Sequence, residues 1–351
     1  MTQRRTGRRA RISGIAAAAA VVLSAVVSLS GPAQALASGV LKATMSVRVT
    51  TDVPVAPSAS APGRAPAAAT CRPAPGRFNR TQLCFLVLVV DTLLVDGNPV
   101  GTVSFTATHS LQLNPRSRNY TEQVSIGGVT LVGDAAGVHV ALADGCGVTC
   151  TPVGNNFPVG VILRPGLHLH GTLTFHDSVG KGHEQSLRNK YVWLFVKTGF
   201  TPGTATYFTP IFYRCDDAIS KFPGCVFPEF IPVMTEMQVL PHIRANIRRI
   251  QGHGLHLGEF GKGHPLHHIT DPAQQRRNHD FLCPPSRPRP AGKQCDEYPF
   301  ASTREGGRGA PADSRGWAWV PTKEQQRQGG LINSFYNADR VLDGDAFWVS
   351  V

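Results

Sequence analysis

The sequence predicts a multidomain protein, with an N-terminal all-β sandwich-like domain followed by a small α+β domain. Three observations predict it. The 351 residues are 42% hydrophobic against 17% charged, enough for two cores and too apolar for disorder. Short runs rich in Val, Leu, Phe and Thr fill the stretch from Cys84 to about Tyr213. Beyond Met234 the apolar spacing changes from two to three and four.

The first 35 residues read as a secretory signal peptide. Five arginines lie between Arg4 and Arg11, an apolar run follows from Ile12 to Leu29, and Ala33-Gln34-Ala35 offers a small-residue cleavage site. Arg8-Arg9 leaves a twin-arginine route open beside general secretion. No later segment is long and apolar enough for a bilayer, so the expectation is a secreted, extracellular protein without stable membrane association. Removing the five leader arginines takes the formal charge from +12 to about +7, which suits a polyanion, either nucleic acid or a cell-wall polymer.

Residues 36–82 are expected to be a linker and irregular segment, because TDVPVAPSASAPGRAPAAAT at 51–70 offers too little to bury. Residues 83–230 then form the β-rich domain, with strands expected at Leu83–Asp91, Val100–His109, Glu122–Val132, Val138–Ala143, Val159–Arg164, Leu167–Phe175 and Tyr191–Thr198. Asp96-Gly97-Asn98 and Gly127-Gly128 read as turns between them. The region shows no acid/base pair, metal cluster or phosphate loop, and the sequence names no partner for it. His168 and His170 share one strand face, either solvated or open to a metal.

Eight cysteines in an exported chain are expected to be oxidised. Nearest-neighbour pairing gives Cys71–Cys84, Cys146–Cys150, Cys215–Cys225 and Cys283–Cys295. A zinc site is not expected, since there is no C-x-x-C pair and Cys146 with Cys150 supplies too few ligands.

Val239, Ile243, Ile247 and Ile250 make one stripe of an amphipathic helix between Met234 and Ile250. Arg244, Arg248 and Arg249 lie mostly off it, on a face that is either solvated or in contact with phosphate. His253, His256, His264, His267 and His268 follow among glycines, without the helical frame of an H-E-x-x-H zinc site.

The most informative stretch runs from Cys295 to Gly307, CDEYPFASTREGG, and places Asp296, Glu297 and Glu305 within ten positions. Close carboxylates supply charge and oxygen ligands for a hard divalent cation that polarises a phosphodiester, or a general base towards water. The same spacing also suits an acidic turn that merely caps a strand.

CDEYPFAST followed by EGG resembles the signature of the NucA/NucB deoxyribonuclease family, a D-E-[WY]-P turn and then E-G-G. The flanking order agrees: His242-Ile243 on a preceding helix, Arg276-Arg277 and a cysteine before the signature, Asp313-Ser314-Arg315-Gly316 after it, then Gln328-Gly329-Gly330 and a closing strand from Arg340 to Val349. The resemblance covers residues 241–351. It implies a ββα-metal-like nuclease domain, DNA as partner and substrate, and a divalent cation, Mg²⁺ or Mn²⁺, as cofactor.

Carried over, Asp296 is the candidate general base, and Glu297 and Glu305 support the metal or orient neighbours. The next helix is expected to start at Thr322, with Gln325 completing a capping box, and to run toward Gln328. It lacks the asparagine expected as metal ligand in this fold, so an amide oxygen of Gln325 or Gln328 is the expected substitute. Arg315 is a candidate phosphate clamp or the partner of Asp313. Trp317, Trp319 and Tyr336 are candidates for base stacking or for the core.

The reading is a secreted, metal-dependent endodeoxyribonuclease of low sequence specificity. Two other classes fit the same residues: an inactive nucleic-acid or cell-surface binding protein, and an antibacterial effector delivered by its β domain.

Overall fold

The computed structural model describes residues 42–52, 77–218 and 221–351. The expected signal peptide, most of the Pro/Ala/Ser-rich stretch and Cys71 lie outside the described residues. Among those described, no helix is long and apolar enough to cross a membrane.

Alternation of buried and exposed side chains builds two facing antiparallel sheets. The larger runs in the order Ala43–Thr51, Gln82–Val95, Asn98–Gln112, Asn119–Gly133, Leu169–Asp177, Cys150–Asn155. The smaller is Gly203–Phe208, Lys190–Val196, His139–Gly145, Val161–Ile162. Their inner faces share one core, in which Phe105 meets Trp193 edge-on at 5.2 Å. A third small sheet, Glu184–Leu187, Tyr213–Asp216 and Gly224–Val226, packs its Tyr213, Cys215 and Cys225 into that core.

Three sequence expectations change here. Residues 43–51 are not irregular: Met45, Val47 and Val49 alternate, and the segment pairs with Gln82–Val95. Gly127-Gly128 is not a turn but an irregularity inside one long strand, where the register shifts opposite Ser104–Thr106 and Gly128 takes a φ of 65°. The β region also holds an acid/base pair after all. His109 Nδ1 lies 2.6 Å from Glu122 Oε1, Tyr191 and Asn189 donate to the same carboxylate, and His109 and Glu122 are fully buried. Long-range strand pairing makes this network, so no local motif announces it.

A second core gathers helix α1 (Pro241–Gln251), the hairpin Lys293–Tyr298/Gly316–Pro321 and helix α3 (Thr322–Ala338). Ile243, Ile247 and Ile250 of the expected stripe are buried, whereas Val239 belongs to a preceding 3₁₀ turn and is 54% exposed. Helix α2 (Pro272–Leu282) starts on Asp271, whose side chain accepts from Ala273 N, with Pro272 at its first position. The last strand is shorter than expected, Ala346–Val349, and sits between Val233–Met234 and Leu266–His267. Residues 340–345 form a loop ahead of it.

Helix α3 starts at Thr322 as read but has no side-chain cap, so the capping box with Gln325 does not form. It also continues past Gly329-Gly330 to Ala338, because Phe335 and Tyr336 bury against the second core.

Candidate active site

The hairpin decides where the signature carboxylates point. Asp296 pairs with Ala318 and Glu297 with Trp317, and consecutive strand residues face opposite ways. Asp296 turns towards α1 and α3, where Asn246 Nδ2 and Gln328 Nε2 each donate to its carboxylate at 2.8 Å. Arg249 donates to Asn246 Oδ1 at 2.7 Å, which fixes that amide with its donor side towards Asp296. Burial pushes the Asp296 carboxyl up to about 7, against the two amide bonds and with the charges of Glu297 and Glu324 acting the same way as burial.

Glu297 turns towards α2, with His279 Nδ1 at 3.0 Å from its Oε1. The hydrogen bond to Glu297 raises the His279 imidazole above its ordinary pKa despite partial burial. The Cys283–Cys295 disulfide ties α2 to the hairpin on this side, and Cys283 Sγ lies 3.5 Å from Glu297 Oε2. Ligand-type atoms of His279, Cys283 and Glu297 fall within 4.8 Å of one another. Oxidised Cys283 offers no thiolate, so His279 and Glu297 remain as the donors there.

Glu297 opens into a cleft of about 900 Å³ lined by one face of α3, with Gln325, Gln328, Ile332 and Tyr336 recurring at helical spacing. Gln325 Oε1 is buried in this wall with no hydrogen-bond partner among the described residues. An unpartnered carbonyl oxygen in the same cleft as a carboxylate is the donor chemistry a hard cation takes. Opposite, His268 stacks on Tyr336 at 3.9 Å with its Nδ1 against Val341 O, and burial lowers its pKa.

The structure thus lines one cleft with Glu297, Gln325 and Gln328, buries Asp296 against Asn246 and Gln328 outside that lining, and turns the other two candidates elsewhere. Glu305 accepts from His267 N and faces His267 Nδ1, both at 2.8 Å, outside the cleft lining. Arg315 donates to the carbonyls of Gly307 and Ala310 and lies 4.7 Å from the Phe281 ring centre, closing its own loop. Asp313 accepts from Ser314 instead. Trp317 and Trp319 meet edge-on at 5.5 Å, with the Arg287 guanidinium over Trp317. Tyr336 is in the core and also on the cleft wall. The five loop histidines do not assemble into a ligand set among the described residues.

Sequence reasoning missed Asn246, His279 and Glu324. Asn246 is a polar residue inside a buried stripe, between Ile243 and Ile247, and that position was its signal. His279 lies one helical turn before Cys283, and Cys295 lies two before Glu297, so the expected disulfide already brought the two together. Glu324 accepts from His242 N and Ile243 N, capping α1 where Leu240 has no capping side chain.

Three of the four expected disulfides lie within the described residues: Cys146–Cys150, Cys215–Cys225 and Cys283–Cys295. No curated protein and no solved structure gives a match to this chain. The C-terminal region, residues 271–350, from the cap of α2 to the last strand, matches the family Deoxyribonuclease NucA/NucB.

Proposed function

We propose that the chain is a secreted, metal-dependent endodeoxyribonuclease that hydrolyses DNA phosphodiesters with little sequence preference, on a ββα-metal-like core made by the hairpin and α3. The observation that carries this reading is Asp296. A carboxyl pushed up to about 7 and held by two amides, one of them Gln328 on the cleft wall, suits a general base working near neutral pH.

In this reading Asp296 takes a proton from water as it attacks phosphorus. Glu297, Gln325 and Gln328 would hold Mg²⁺ or Mn²⁺, and Gln325 Oε1 is the atom that argues for it. When bound, the cation supplies Lewis-acid stabilisation of charge on the phosphate and the leaving oxygen. His279 orients Glu297 from behind. We assign Glu305 and Arg315 to holding the loops around the signature rather than to the reacting atoms. Affinity then comes from phosphate contacts and weakens steeply with salt. The disulfides support export to an oxidising compartment.

The test is plasmid nicking by oxidised protein with Mg²⁺ or Mn²⁺ and with chelator, alongside Asp296→Asn. Metal-dependent nicking that falls about a thousandfold in variant protein shown to be folded is expected. No cleavage by folded protein with any divalent metal would overturn the reading.

A further inference from the structure

The cleft is not built by the family-matched region alone. The loop 339–345 joins α3 to the last strand, and Val341, Leu342 and Asp343 in it line the cleft. On its inner side the loop is tied to His268, which donates from its main chain to Asp345 O and accepts from Gly344 N. On its outer side three arginines join it to the β-rich part.

Arg80 donates to the main-chain oxygens of Asp339 at 2.7 Å and Arg340 at 2.9 Å, and to the Asp345 carboxylate at 3.1 Å. Arg214 reaches both Asp345 carboxylate oxygens at 2.8 Å. Arg340 runs the other way, forking onto the Asp216 carboxylate and donating to Pro115 O and Phe222 O. Arg340 is 1% exposed and Asp216 fully buried. Arg340 also holds a φ of 49°, a conformation that side-chain-bearing residues avoid unless their surroundings impose it. Here it is the end of α3 that calls for it, since Arg340 follows the C-cap Asp339 and Val341 N donates back to Tyr336 O. Across the cleft, Gly182, Glu184 and Ala218 of the β-rich part supply the facing wall.

An accessory module joined to an enzyme meets it through a modest polar surface and moves against it. Buried, bidentate ion pairs tolerate no such movement, since a displaced partner leaves an uncompensated charge. We propose that Arg340, anchored on Asp216, is a positioning residue for the nuclease cleft, and that the β-rich part is an obligate component of the enzyme rather than an appended binding module. The proposal rests on the nuclease reading for its kinetic readout only.

The decisive variant is Asp216→Asn with Arg340→Gln, which removes both charges together and leaves neither unpaired. In folded double variant, kcat is expected to fall about tenfold with KM little changed, and the Gly344 and His268 amides to exchange hydrogen faster. Wild-type kcat and wild-type exchange protection in that variant would overturn the proposal. If the double variant does not fold, Asp345→Asn takes its place in the same two measurements, where loss of kcat and of protection supports the proposal and wild-type values overturn it. If the wild-type protein cuts no DNA, the nuclease reading falls by itself, and exchange at Gly344 decides whether the two parts are coupled.

Discussion

Asp91 and Asp296 are both fully buried strand carboxyls, and burial pushes both up to about 7. Their surroundings differ in every other respect. Asp91 faces the sandwich core in line with Val89 and Leu93, and neither of its oxygens has a partner among the described residues. Asp296 is held by Asn246 and Gln328, and Gln328 itself lines the cleft. A displaced carboxyl pKa therefore reports burial; polar partners, one of which reaches the cleft, are what separate Asp296 from Asp91. The histidine pairs repeat the lesson. His109 and Glu122 are sealed at 0% side-chain exposure, whereas His279 is 44% exposed against Glu297 at the cleft.

The strongest test of this contrast is to neutralise each aspartate in turn. Asp296→Asn is expected to lower kcat/KM on plasmid DNA about a thousandfold. Asp91→Val is expected to leave cleavage unchanged and to raise unfolding stability by about 2 kcal/mol in denaturant titration. Comparable losses of cleavage would mean that both carboxyls serve the reaction.

Disulfides extend the contrast between the two regions. Replacing Cys283 and Cys295 by serine is expected to cost about 3 kcal/mol and also to reduce cleavage, because the bridge holds α2 and with it His279 beside Glu297. Serines at Cys146 and Cys150 are expected to cost stability only, read by Tm and nicking on the same preparations. Gln325→Leu removes the unpartnered oxygen and is expected to weaken Mn²⁺ binding about tenfold by calorimetry; unchanged affinity would take Gln325 out of the ligand set.

The smallest effect is the dependence on pH. For both aspartates the folded state holds the proton more tightly than the unfolded chain, so their contribution to stability is complete below about pH 4 and is lost as pH rises through about 7. Asp91→Val should flatten that decline in Tm. Cleavage should move oppositely, rising through about pH 7 as Asp296 ionises, in wild type and Asp91→Val alike.

Much of this was legible from local pattern. Alternation marks the long strands, Asp96 and Gly97 with positive φ make the turn that joins two of them, and the isoleucine stripe marks α1. Asp296 and Glu297 stand out through their motif. Glu305 and Arg315 carry the same chemical promise, yet their immediate loops turn them onto His267 N and backbone carbonyls. Asn246 reaches Asp296 only through the docking of α1, and Arg340 reaches Asp216 across 124 positions of sequence, so neither contact has a local signature. Helix α2 was hidden for a different reason: of its side chains only Asn278 and Leu282 are buried, which leaves little apolar periodicity to read.

The opposed faces of the signature strand make the order of its two acids matter as much as their presence. A chain reading Glu-Asp in place of Asp296-Glu297 would keep its charge and composition. It would nevertheless force an extra methylene into the closed space between Asn246 and Gln328, and withdraw a carboxylate from His279 by the same length. The two positions are not interchangeable copies of one functional group: one is read by its fit, the other by its reach.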